Sequence, residues 1–331
     1  MGASATGDRT PGRPVRLITG RKRFGRKSQV PSGQPGQPNL TAGPEHRAIG
    51  GASVPVHLTD ESTMSTFWLV LLGMVSGAGA GLLAGLIGIG GGIVIVPVVF
   101  YGLVETGTSA DQAAHVAVGT SLAAILPAAL LSSLAHWRAG NTDFRFLRDW
   151  GPGIATGVVV AQLAAPHVRG SMMTGLFALL CLLFAARFAF PGRFRPIMER
   201  TPGGRFPSVA GAAIGVSSGL AGVGGGILTN IFMTLTGMPM HKSIGRAAAA
   251  GVVVSLPATL VAAFASGGSA PTQLGSIDLA VWASVAPAQA VAAWFGARLA
   301  QRVAADNLSR IMAVALFATG AVMLHSSVTG R

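Results

Sequence analysis

Two clusters of glycine interrupt sequence that otherwise reads as membrane helix: "GLIGIGGGIVIVP" from Gly85 to Pro97, and "GLAGVGGGILTN" from Gly219 to Asn230. Glycine costs a helix about 1 kcal/mol per residue relative to alanine. Consecutive glycines favour a break, because they admit positive φ and lose the most entropy on ordering. The flanking pieces Gly91–Val104 and Ile227–Thr236 are too short to span a bilayer alone, while several other apolar runs reach the roughly 17–20 residues that a span needs. Broken backbone inside a bilayer is tolerated only where protein buries it or a wet cavity meets it. A chain of this kind is therefore a bundle of spans with two deliberate interruptions.

Composition supports that class. Of 331 residues, 50% are hydrophobic and 11% charged, against about 25% charged in a soluble domain. The expected fold is all-α: a polytopic integral membrane protein in the cell membrane, with the lipid bilayer as its partner. Residues 1–63 differ, with nine Lys/Arg, four acids, seven prolines and no apolar run long enough for a core. They read as a disordered basic tail. They lack the apolar segment and cleavage site of a secretory signal. Met64 opens "MSTFWLVLLGMVSG", a natural membrane-protein start, which makes 1–63 readable as an upstream extension. No folded nucleic-acid module accompanies the tail, so no nucleic-acid partner is expected.

Enzyme and metal chemistry find little support. The single Cys181 permits no internal disulfide and no Cys-based metal site. No His/Asp/Glu spacing resembles a metal centre and no local nucleophile–base set stands out, so no cofactor and no catalytic residue is assigned. The seven acids after residue 63 all lie in polar connections or at the edges of apolar runs.

The two halves are related. Shifting Gly77–Ile93 by 134 positions lays it on Gly211–Ile227 with ten of seventeen residues identical, and every one of Gly77, Gly81, Gly85, Gly88, Gly90, Gly91 and Gly92 falls on glycine. A second anchor sets "HVAVG", His115–Gly119, over "HKSIG", His241–Gly245. Two anchors in the same order indicate a duplicated unit. The expected organisation is the tail at 1–63, a first transmembrane repeat at 64–190, a basic cytoplasmic link at 191–206 and a second repeat at 207–331.

The glycines divide into two jobs. Gly77, Gly81 and Gly85, like Gly211, Gly215 and Gly219, are spaced by four and make a stripe that lets another backbone approach. The runs Gly90–Gly92 and Gly224–Gly226 break the helix. A half-helix opening at Gly91 or Gly225 aims free N–H groups and a positive dipole end at the gap, which favours an anion. Glycine-broken segments at matching points of two halves point to a transport site near the midplane. A dinucleotide loop is excluded, since G-x-G-x-x-G would need glycine where Ile93 and Ile227 stand.

These runs, with "HVAVGTSLAAILPAALLSSLAHWRAGN" at His115–Asn141 and the duplicate at Gly219–Gly251, resemble the sulfite exporter TauE/SafE family of membrane permeases across residues 66–326. The resemblance implies about eight spans in two related halves and the movement of sulfite, sulfoacetate or related sulfur-containing anions. The basic tail has no counterpart in the family pattern, and Arg246-Ala247 replaces the Thr120-Ser121 of the first half.

The candidate substrate-binding residues are therefore Gly90, Gly91, Gly92, Thr120, Ser121, Gly224, Gly225, Gly226, Asn230 and Arg246. Arginine in a span faces a cavity or a partner, and its planar donors suit an oxyanion; its alternative is to snorkel to the headgroups. Thr120 and Ser121 either donate to the oxyanion or bond back to the preceding turn. His115, His136 and His241 are the candidates for proton coupling, as titratable groups close to the spans.

Arg138, Arg145 and Arg148 after the third run, and Arg187, Arg193, Arg195, Arg200 and Arg205 in the link, read as cytoplasmic by the positive-inside rule. The acidic 105–114 connection suits the outside. One crossing per broken segment gives eight spans and a cytoplasmic N-terminus; two crossings give five per half and inverted repeats. The function read from these features is a permease translocating a small anion. Its rivals are a non-transporting assembly or scaffold protein and, more remotely, a membrane enzyme.

Overall fold

The computed structural model describes residues 59–88, 90–142, 144–190, 203–265 and 271–329, with side chains described within these from Val70 to Val328 except at Ala305. The basic tail through residue 58 and most of the basic link lie outside the described residues. Ten α-helices are found among them: α1 (Thr59–Ile87), α2 (Gly92–Glu105), α3 (Ala110–Arg138), α4 (Phe144–Ala164), α5 (Gly170–Ala189), α6 (Phe206–Ala221), α7 (Gly226–Leu235), α8 (Met240–Phe264), α9 (Leu279–Ala300) and α10 (Ala305–Thr329). A two-stranded antiparallel hairpin, β1 (Gln273–Leu274) with β2 (Ile277–Asp278), precedes α9. Six helices, α1, α3, α5, α8, α9 and α10, are long and apolar enough to cross a membrane, and α2, α6 and α7 are shorter apolar helices. The fold is an all-α polytopic membrane protein.

The glycine stripe of α1 lies against the backbone of α9. A Cβ on Gly77 would come within 2.5 Å of Val285 O, and on Gly81 and Gly85 it would strike the carbonyls of Gln289 and Ala293. The second stripe does the same on α4, where Gly211 faces Trp150 and Gly215 faces Ile154. Each half thus lends its first helix to the other half. Pro152 of α4 and Pro287 of α9 occupy matching places in these pairs.

Packing fixes the direction of each helix. Asp278, at the start of α9, bonds Thr120 early in α3, while Trp294 near the end of α9 meets Arg138 at the end of α3. So α9 runs parallel to α3, and α1, paired residue for residue with α9, does too. In contrast, α3 and α8 are antiparallel. Gly119 lies against Ser276 just beyond α8, Gly245 lies against Asn141 just beyond α3, and Ala129 meets Gly251 between them. Because α3 and α8 are equivalent by the duplication, the repeats are inverted.

The break itself is a reversal. α1 reaches the end of α3, where His136 contacts Gly85 O. The chain then turns back, bringing Gly91 beside Ala80 and Gly92 beside Ser121 and Ile125 at the middle of α3. From there α2 returns to the face where α3 begins. Eight helices therefore run between the faces and α2 and α7 cover half the distance. The repeats are inverted, as in the second of the two options that the sequence allowed, but α2 and α7 are half-crossings and not the full fifth span of each half that this option counted. The start of α1 lies on the face of Glu105 and Asp111, not on the face of Arg138, Arg145 and Arg148. A sequence reading that counts the broken segment as one crossing assigns it to the other face, because helix direction after a glycine break is set by tertiary packing.

Candidate functional site

The tips of the two reversed segments meet at mid-depth. Gly88, Gly90 and Gly91 have φ of 73°, 85° and 80°, and Gly222, Gly224 and Gly225 have 72°, 67° and 72°. Side chains rarely adopt this left-handed region. It lets Gly91 and Gly225 serve as the N-cap residues of α2 and α7. The tips also touch: a Cβ on Gly92 would strike Gly222 O, and one on Gly90 would lie 3.8 Å from Val223 O. Two half-helices thus open from the same buried point toward opposite faces. The first N–H groups of each have no intrahelical acceptor, and their dipoles present positive ends there.

Beside the junction is a closed hollow between Gly88 and Gly90 of the first tip, Ala128 and Ser132 of α3, and Ala248 and Gly251 of α8. It is too tight for water, and the Ser132 hydroxyl in its wall has no hydrogen-bond partner. The second tip has its own unpartnered hydroxyl on buried Ser218, which lies 3.6 Å from the position of a Cβ on Gly225. Gln289 of α9 reaches the first tip, where its Nε2 donates to Gly90 O at 2.9 Å. A cleft of about 260 Å³ on the face where α3 begins is lined by Asp111, His115, Gln162, Met173 and Ser276. Its inner wall includes Val118, which borders Gly222 of the second tip.

Of the residues singled out from sequence, Gly90–Gly92, Gly224–Gly226 and Ser121 come together. The Ser121 hydroxyl donates to Gly222 O at 3.1 Å and stands 3.1 Å from the position of a Cβ on Gly92. Thr120 turns away and its hydroxyl accepts from Asp278 N at 2.9 Å, holding the hairpin that opens α9. Asn230 bridges elements: its Nδ2 donates to Ile87 O at 3.2 Å, and its Oδ1 accepts from the Ser243 hydroxyl at 2.8 Å. It caps the end of α1 from α7.

Arg246 is placed elsewhere, 5.5 Å over the Phe146 ring and 3.7 Å from Met233 Sδ. His115 lies in the cleft wall, its ring nitrogens 2.7 Å from Asp111 O and 3.0 Å from Ala165 O. His136 is buried, with Nε2 3.2 Å from Gly85 O and Nδ1 without a partner. His241 is half-buried in the first turn of α8. The three histidines thus sit at helix ends, not at the tips. Sequence reasoning passed over Ser132, Ser218 and Gln289. Their signal was present, since each is a polar residue inside an otherwise apolar run.

The sulfite exporter TauE/SafE family matches residues 72–323. The chain belongs to this family. A probable membrane transporter protein of Haemophilus influenzae is 30% identical over 190 residues, covering 57% of this chain and 72% of the relative. The probable membrane transporter protein YunE of Bacillus subtilis is 31% identical over 187 residues, covering 50% of this chain and 66% of the relative. No solved structure matches the chain. Family membership agrees with the six candidate spans and places the protein in a membrane as a multi-pass protein.

Proposed function

We propose that this chain is a permease for a small anion, sulfite, a sulfonate or a related sulfur-containing oxyanion, and that the cargo passes the junction of the two glycine tips. The observation that carries this reading is the meeting of two half-helix N-termini, from inverted repeats, at one buried point halfway through the bundle. Backbone N–H groups at helix starts and converging positive dipole ends make an anion site without a buried cation. Relatives named as probable membrane transporters, and a family named for sulfite export, support the same reading. A tip closed by small residues suits cargo the size of a few heavy atoms. The cleft beside His115 and Gln162 is the entrance or exit on one face.

The test is efflux of sulfite, and of a simple sulfonate, from proteoliposomes holding the purified chain. Saturable flux above that of protein-free vesicles is expected. Absence of flux for every sulfur oxyanion, from protein shown to be inserted and monodisperse, would return the chain to the scaffold reading.

A further inference from the structure

Gln289 stands in the core beside the first tip with half of its hydrogen-bonding capacity unused. The residue is fully buried. Its Nε2 donates to Gly90 O, while its Oε1 has no partner. That orientation is fixed by the neighbour, because the reversed amide would set two carbonyl oxygens against each other. A Cβ on Gly91 would come within 2.5 Å of Nε2, so the amide lies directly against the N-cap of α2. The internal symmetry makes the group more telling. The pairing that sets Gly81 on Gln289 sets Gly215 on Ile154, so the second tip has isoleucine in the equivalent place. An aliphatic side chain satisfies the packing there. The amide at the first tip, with an orphaned acceptor, is suited to a ligand.

Building on the anion-permease reading, we propose that Gln289 selects the protonation state of the cargo: its Oε1 accepts the O–H of a monoprotonated oxyanion such as hydrogensulfite, while the first N–H groups of α2 hold the charged oxygens. The donor and acceptor sets are complementary. Backbone N–H groups take negative oxygens, but an amide oxygen can only accept and repels a bare anion. A sulfonate or sulfate brings no O–H, so it leaves Oε1 desolvated and unpaired. Hydrogensulfite supplies both kinds of group, and it carries its own proton through a core in which the described spans bury few titratable groups. The elements packed on Gln289 bring few titratable groups near it. α1 offers none from Val70 to Ile87. In α2, Tyr101 and Glu105 stand near the far end, and in α3 Asp111 and His115 do so. That leaves His136, at Gly85 O, as the protein group closest in role.

The experiment measures initial efflux rates from proteoliposomes at pH values on either side of sulfite's second ionisation, after subtracting protein-free vesicles. Methanesulfonate serves as the fully ionised comparison, and membrane abundance is matched between variants. Wild-type flux is expected to follow the hydrogensulfite concentration and not total sulfite, with methanesulfonate carried at least about tenfold less well. Gln289→Leu should raise KM for sulfite about tenfold and lose the dependence on protonation, whereas His136→Asn should keep it. Should Gln289→Leu fail to reach the membrane, Gln289→Met, of the same length and without a strong acceptor, makes the same comparison. Flux that follows total sulfite, equal transport of methanesulfonate, an unchanged pH profile in the Gln289 variant, or a flattened one in His136→Asn would each overturn the assignment and leave the permease standing. A wild-type chain that moves neither anion would overturn both.

Discussion

Replacing one glycine of α2 by alanine should destabilise the protein, and replacing another should stabilise it. Gly91 is the N-cap of α2 and Gly102 lies in its last turn. Gly102 has open space within 4 Å of the position a Cβ would take and needs no positive φ. Gly102→Ala therefore gains helix propensity of about 0.5–1 kcal/mol. Gly91 has φ of +80°, and its Cβ would lie 2.5 Å from Gln289 Nε2 and 3.0 Å from Ala80 O. The left-handed backbone costs an alanine about 1–2 kcal/mol. Displacing the Gln289 amide from Gly90 O forfeits a hydrogen bond of about 1 kcal/mol.

Gly91→Ala is thus expected to lose roughly 2–3 kcal/mol, a loss that a protein of ordinary stability, about 5–15 kcal/mol, survives. At about 2–4 °C per kcal/mol for a chain of this size, the two variants should shift the melting temperature in opposite directions. The assay is loss of the monodisperse peak after heating in detergent, with efflux measured beside it. Gly91→Ala should also lose most of its flux at matched abundance, because the tip and its amide move together. Equal shifts for both variants, or a Gly91→Ala protein as stable as the parent, would refute the reading of the tip as an obligatory left-handed turn.

The Arg246 guanidinium rests on Phe146 and Met233, so Arg246→Lys should keep flux within about twofold while losing about 0.5–1 kcal/mol of stacking; a drop beyond tenfold at matched abundance would return Arg246 to the cargo path. Inverted repeats predict the labelling of single cysteines in a Cys181→Ser background. Thr108→Cys, in the α2–α3 link, should react from one side of intact cells and Arg302→Cys, after α9, only from the other; labelling of both from one side would refute the direction assigned to α9.

The sequence carried the apolar spans, the duplication and the position of the breaks, because each is a matter of residue type and spacing. Seven glycines repeating in register could be read without coordinates. What the breaks do was not legible. Gly88–Gly92 could continue a helix across the bilayer or reverse it. The reversal is decided by the fold-back onto Ala80 of α1 and by Ser121 and Gln289, the last two far from the break in sequence and touching it only after the helices pack. The same limit applies to the site. Thr120 and Ser121 are adjacent, yet successive helical positions face different neighbours. Ser121 meets the second tip and Thr120 secures β2. Asn230 was legible as a buried amide but not as the cap of α1, since Ile87 is 143 positions away. Gln289 was missed because a lone glutamine in "APAQAVAAW" signals only that something polar faces inward.

Charge and topology constrain each other in a way neither does alone. The reversal at the first tip puts the start of α1 and the start of α3 on one face. With Arg138 ending α3, Arg145 and Arg148 opening α4, and Lys242 opening α8, most of the described basic groups collect on the opposite face, while Arg169 at the start of α5 stays on the first. Arg298 in the last turn of α9 and Arg302 just after it join them, because α9 runs parallel to α3. Glu105 and Asp111 stay on the first face. Had α1 and α2 formed one continuous crossing, α1 would begin on the face opposite to α3. The charge rule would then place the start of α1 in the cytoplasm. With the reversal, the same rule applied to the same arginines places it outside. The cleft of Asp111, His115 and Gln162 then opens outward, while the hollow beside Ser132 lies nearer the cytoplasmic ends of α1 and α8, where Gly88 abuts Ile244 and Asn230 holds Ile87.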